Sequence, residues 1–141
     1  MSNQSAALDA ALKIHLLLVD DESEFKEIMQ KHLGRAGIRL SVSGSCFEAL
    51  ELLENQQVDV VIMDMNMPGI NGIQCLRKIK EQWPLVEVII LTGHASVQSG
   101  IEGMESGAFD YCLKPIDVRE LIEKVELAAQ KALINLEDST L

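Results

Sequence analysis

Three short stretches, Leu16-Leu17-Leu18-Val19, Val60-Val61-Ile62-Met63 and Val88-Ile89-Ile90-Leu91, are apolar at every position. A strand with one wet face alternates polar and apolar side chains, so an unbroken apolar run of this length demands cover on both faces. Parallel sheets sandwiched between helices supply that cover. Two further segments are less apolar. Ile38-Arg39-Leu40-Ser41-Val42-Ser43 alternates strictly, and Phe109-Asp110-Tyr111-Cys112-Leu113 carries polar residues between its apolar ones, so both belong at sheet edges. With strands expected over 14–19, 38–43, 58–63, 86–91 and 109–113, and with right-handed crossovers, the arrangement is an α/β, doubly wound, five-stranded parallel sheet of order 2-1-3-4-5.

Between these runs the apolar residues recur at helical spacing. Phe25, Ile28, Met29, Leu33 and Ala36 form one stripe, Ala49, Leu50 and Leu53 a second, and Ile73, Leu76, Ile79 and Trp83 a third. Ser45-x-x-Glu48 and Asp117-x-x-Glu120 read as capping boxes, and Asn71 as an N-cap. The last helix carries Val118, Leu121, Ile122, Val125, Ala129, Ala132 and Leu136, a stripe longer than a small sheet needs. Gly100 and Gly103 fall inside the fourth helix, each costing about 1 kcal/mol relative to alanine. They either let that helix approach the sheet closely or make it a mobile element.

A chain of 141 residues without repeats or a linker is one domain's length, read as an N-terminal extension (1–13), a folded unit (14–134) and a C-terminal tail (135–141). No apolar run approaches the roughly 20 residues of a bilayer span, so no membrane association is expected. Twelve basic against 22 acidic residues give a formal charge of −10, which repels nucleic-acid phosphate and argues against direct DNA binding. Cys46, Cys75 and Cys112 are odd in number and widely spaced, with no metal-binding pattern. They read as reduced core residues of a cytoplasmic protein.

In an open parallel sheet, ligands bind at the carboxyl ends of the strands, near the point where the strand order reverses. There the first strand ends in Asp20-Asp21, the third in Asp64, the fourth in Thr92 and the fifth in Lys114-Pro115. Three carboxylates against one ammonium leave two negative charges in excess, and like charges about 4 Å apart repel by roughly 4 kcal/mol at an effective dielectric of 20. A divalent cation cancels that excess, and an open all-oxygen donor set favours Mg²⁺. Cations beside a threonine hydroxyl suit a phosphoryl group, for which a central aspartate such as Asp64 is a competent nucleophile. The Pro68-Gly69 pair after it predicts a tight turn that keeps the loop near the site. Taken singly, each residue has a blander reading: a helix-capping acid at Asp20 and Asp21, a turn-forming Asp64, a strand-end Thr92, a solvated Lys114 and a half-buried edge aromatic at Tyr111.

The set Asp20-Asp21, D-M-N-M-P-G-I-N-G at 64–72, L-T-G-H-A at 91–95 and Y-C-L-K-P at 111–115 resembles the receiver domain of two-component response regulators, most of all receivers of the nitrogen-regulation (NtrC) type. That resemblance implies a CheY-like (βα)5 fold and a phosphoprotein that is not an enzyme beyond its own phosphorylation and dephosphorylation. It makes Asp64 the phosphoacceptor, Asp21 a direct Mg²⁺ ligand, Asp20 a ligand mainly through water, and the backbone carbonyl of Asn66 a further ligand. Lys114 pairs with a phosphoryl oxygen, Thr92 and Tyr111 form the switch, Lys114-Pro115 is a cis peptide, and Asn66 and His94 modulate the phosphoryl lifetime. The implied partners are a sensor histidine kinase or phosphotransfer protein and a second copy of the chain, the signalling surface comprising residues 95–106, the fifth strand and the last helix.

Two other classes fit parts of the pattern. A Mg²⁺-dependent phosphatase of haloacid-dehalogenase type also uses a carboxylate nucleophile, but in a D-x-D motif after the first strand, where here D-x-N follows the third. A flavodoxin-type cofactor carrier shares the strand order, but Asp20-Asp21-Glu22 would repel the phosphate that its first loop binds.

Overall fold

A computed structural model describes residues 14–65, 71–93 and 97–139. Among them the chain runs β1 (His15–Val19), α1 (Ser23–Arg35), β2 (Arg39–Ser43), α2 (Cys46–Asn55), β3 (Val60–Asp64), α3 (Gly72–Gln82), β4 (Glu87–Thr92), α4 (Val97–Glu105), β5 (Asp110–Leu113) and α5 (Val118–Ser139). The strands form one parallel sheet in the order β2-β1-β3-β4-β5. Every residue of β1, β3 and β4 is buried, whereas β2 and β5 are partly open, as expected of edges. No helix among the described residues is long and apolar enough to cross a membrane.

Strand alternation divides the core in two. Leu17, Val19, Val61, Met63, Val88 and Ile90 pack against Ala49, Leu53, Leu76 and Ile79 of α2 and α3. Leu16, Leu18, Val60, Ile62, Ile89 and Leu91 face Met29 and Leu33 of α1 and Leu121, Val125 and Ala128 of α5 on the other side. Local signals start the helices where the sequence puts them. The Ser45 hydroxyl accepts the Glu48 amide (3.2 Å) while the Glu48 carboxylate accepts the Gly44 amide (2.9 Å), and Asn71 Oδ1 accepts the Gln74 amide (2.9 Å). Asp117 instead accepts the Arg119 amide (2.9 Å), a local turn short of a full capping box.

Gly100 and Gly103 belong to the close-approach alternative. A Cβ at Gly103 would overlap Ile90 Cδ1, and one at Gly100 would stand 3.2 Å from the Tyr111 ring, so α4 lies closer to the sheet than alanine allows. The cysteines correct the sequence reading. Cys112 is a free, buried thiol, pushed above its ordinary pKa chiefly by that burial, but Cys46 and Cys75 form a disulfide. Their separation of 29 residues gives no hint of pairing; α2 and α3, side by side on one sheet face, bring the two Cα atoms to 5.8 Å, inside the usual disulfide range.

At the amino ends of the strands the charges are structural. The buried Glu87 carboxylate lies 3.7 Å from Lys80 and 3.5 Å from Lys131, tying α3 to α5. His15 is held by the Gln57 carbonyl and the Ser41 hydroxyl, each at 2.7 Å.

Candidate phosphoacceptor and metal site

The strand register carries the acidic residues to the opposite rim. Val19 pairs with Met63, so Asp20 and Asp64 leave adjacent strands at the same level; Asp64 pairs with Leu91, and Thr92 with Leu113. The ladder continues past the strand ends: the Asp20 amide donates to the Ser43 carbonyl (3.0 Å), Met65 to Leu91 (3.0 Å) and Lys114 to Thr92 (2.8 Å). These backbone bonds, independent of side-chain chemistry, aim three loops at one point.

Asp20, Asp21 and Asp64 each bring a carboxylate oxygen within 4.8 Å of the others, with Asp20 and Asp64 buried and Asp21 exposed. Lys114 reaches into this cluster: Nζ lies 3.2 Å from Asp20 Oδ2, 3.6 Å from Asp64 Oδ2 and 3.9 Å from Glu22 Oε1. Desolvation pulls the Lys114 pKa down, but the facing carboxylates of Asp64, Asp20 and Glu22 outweigh it and hold the ammonium above its ordinary 10.5. Asp20 does not cap α1 through its first turn; its Oδ1 accepts the Glu22 amide (2.8 Å), fixing the carboxylate toward Lys114. One ammonium among so many carboxylates leaves the site negative, and its donors are all oxygen, so the residues present fit a hard divalent cation.

Thr92 is buried, its hydroxyl donating to the Gly93 carbonyl (3.1 Å). Tyr111 is exposed on β5 with its ring against Gly100, and its carbonyl accepts from Lys124 (3.1 Å). The Lys114–Pro115 peptide bond is cis. Asn66 and His94 lie outside the described residues, as do the Pro68-Gly69 turn and residues 1–13.

Two neighbours complete the surroundings of Lys114. Phe25 was only a member of the α1 stripe, yet the Lys114 ammonium sits 4.8 Å from its ring centroid, within cation–π range. Glu22, the third acid of the Asp20-Asp21-Glu22 run, comes within 3.9 Å of the same ammonium. Both line a cleft of about 620 Å³ between α1 and the β5–α5 connection that also includes Asp64, Lys114 and Pro115.

A doubly wound sheet of this order with an acidic, lysine-bearing rim defines a class of α/β domain. The chain belongs to the response regulator receiver domain family, whose pattern matches residues 16–126. It is 35% identical over 111 residues to the DNA-binding transcriptional regulator NtrC of Escherichia coli (strain K12), a match covering 79% of this chain and 24% of that protein. The chain thus spans about a quarter of the length of the curated relatives it matches first. Among solved structures, the Francisella response regulator 1452 receiver domain superposes with a TM-score of 0.79 at 31% identity, covering 84% of this chain and 98% of that one. The beryllofluoride-activated NtrC4 receiver domain dimer gives 0.79 at 26% identity, with the same coverages.

Proposed function

We propose that this receiver domain accepts a phosphoryl group on Asp64 from the phosphohistidine of a sensor histidine kinase or phosphotransfer protein, in the cytoplasm. The observation that carries the reading is the cluster of Asp20, Asp21 and Asp64 carboxylates at the strand ends, with the Lys114 ammonium paired to Asp20 and Asp64. Asp20, Asp21 and Asp64, with the Asn66 carbonyl, would hold Mg²⁺, which when bound neutralises phosphoryl oxygens and lowers repulsion between the acceptor carboxylate and the incoming group. In the transfer, an Asp64 oxygen forms the new P–O bond as the P–N bond of the donor breaks and the leaving imidazole takes up a proton. Lys114, held charged by its neighbours, sits 3.6 Å from the acceptor and is placed to pair with a phosphoryl oxygen. The cleft beside α1 gives a donor side chain its way in.

Phosphorylation replaces roughly one negative charge by nearly two and adds oxygen acceptors. Thr92 and Lys114 are the groups that would bind those oxygens, drawing β4 and β5 ends inward and changing the room available to Tyr111. The affected face carries exposed apolar side chains on α4, β5 and α5, including Ile101, Met104, Leu113 and Leu127. Its partner on this reading is a second copy, and the dimeric NtrC4 receiver is similar in fold. The acidic charge gives this segment no basis for contacting DNA itself.

The test is incubation with acetyl phosphate and Mg²⁺ followed by intact mass measurement. Wild type should gain one alkali-labile phosphoryl group and Asp64→Asn none. An adduct that survives in the Asn variant, or its absence from wild type, overturns the assignment.

A further inference from the structure

Phosphoryl acceptance leaves one pair of nucleophilic side chains unused. Cys46 opens α2 and Cys75 lies in the first turns of α3, and their sulfurs are joined. Both belong to the core layer with Val19, Met63 and Leu76, whereas Cys112 lies in the layer across the sheet, so the pairing has no competitor within reach. The start of α3 presses directly on the strand that bears Asp64. A Cβ at Gly72 would stand 3.2 Å from the Asp64 carbonyl oxygen and 2.9 Å from Met65 Cα, a proximity only glycine allows. The bond three residues later therefore fastens to α2 the turn that leans on the acceptor strand. The loop it closes contains the whole of β3.

We propose that Cys46 and Cys75 are a reversible thiol–disulfide couple, a redox modification site that locks and releases the first turn of α3 beside Asp64. The reactant class is a low-molecular-weight disulfide. In oxidation, the Cys46 thiolate attacks one sulfur of that disulfide and expels one thiolate, which takes up a proton. The Cys75 thiolate then attacks the mixed disulfide at the Cys46 sulfur, forming the intramolecular bond and releasing the second thiol. Two protein thiols are oxidised and one small disulfide is reduced to two thiols. Cys46 is 5% exposed and Cys75 fully buried, so access goes through opening of the first turn of α2, beside Phe47, which is 76% exposed. Exchange is then slow, on the order of minutes to hours.

The experiment equilibrates the full chain in glutathione buffers of graded ratio, quenches with acid, and reads intact mass, disulfide mapping and amide hydrogen exchange. The expected result is a passage from dithiol to a Cys46–Cys75 disulfide with Cys112 a free thiol throughout. Exchange across residues 72–76 should be faster in the dithiol form by roughly ten- to a hundredfold. Cys46→Ser and Cys75→Ser, made separately so that misfolding of one leaves the other, should exchange like the dithiol form at every ratio. A chain that stays in one state in all buffers, a bond to Cys112 or between chains, or equal exchange at 72–76 in the two forms would each overturn the proposal. None of these readouts depends on whether Asp64 takes phosphate.

Discussion

Lys114 is surrounded by more carboxylate than it can neutralise, and its replacement therefore does more than remove a positive charge. Asp20 is wholly buried, and with the ammonium gone its charge has lost its 3.2 Å partner. Lys114→Met should destabilise the fold by about 2–3 kcal/mol, less than the loss of a fully buried pair because Lys114 keeps some solvent contact. The pH dependence follows from the raised pKa. A cation whose folded pKa lies above its unfolded value contributes all its stabilisation below the unfolded pKa and loses it as pH rises through the folded one. The stability gap between wild type and Lys114→Met should thus stay constant from pH 7 to about 9.5 and narrow above 10.5; denaturant unfolding of both proteins across that range checks it. Lys114 and the three aspartates were legible in the sequence because strand ends are where such folds place their chemistry. The contact of Phe25 with Lys114 was not, since it depends on how near α1 lies to the connection after β5, which no local pattern encodes.

Among the elements, α4 shows local preference yielding to packing. Alanine is the better helix former by about 1 kcal/mol, yet at Gly103 a methyl group would overlap buried Ile90. Overpacking costs about 1–3 kcal/mol, so Gly103→Ala should destabilise the protein on balance. In an Ile90→Val background, which removes the overlapped Cδ1, the same change should cost less; urea unfolding of the four proteins in a double-mutant cycle measures the difference. The two meanings that the glycines carried in sequence, close approach or mobility, could be separated only once the facing side chain was known. The caps at Ser45 and Asn71 needed no such context, because a cap is made within four residues of itself.

For the molecule as a whole, three carboxylates gathered at one rim would, on the proposed reading, couple folding to cation binding. Anything that binds the folded form alone raises the unfolding temperature by mass action, and Mg²⁺ at about a hundred times its dissociation constant should raise it by roughly 5 °C or more. Excess chelator should reverse the rise, and Asp21→Ala, at an exposed position, should abolish it without loss of the fold; thermal scans over a Mg²⁺ series decide the matter. The strand order, the covered and open faces of the sheet and the residues at its rim were all written in the amino-acid order, because hydrophobic period and strand ends are properties of neighbouring positions. The union of Cys46 with Cys75, the approach of α4 to Ile90 and the seat of Lys114 on Phe25 were decided by tertiary packing alone. Each joins residues far apart in the chain whose distance is set by how the helices settle on the sheet.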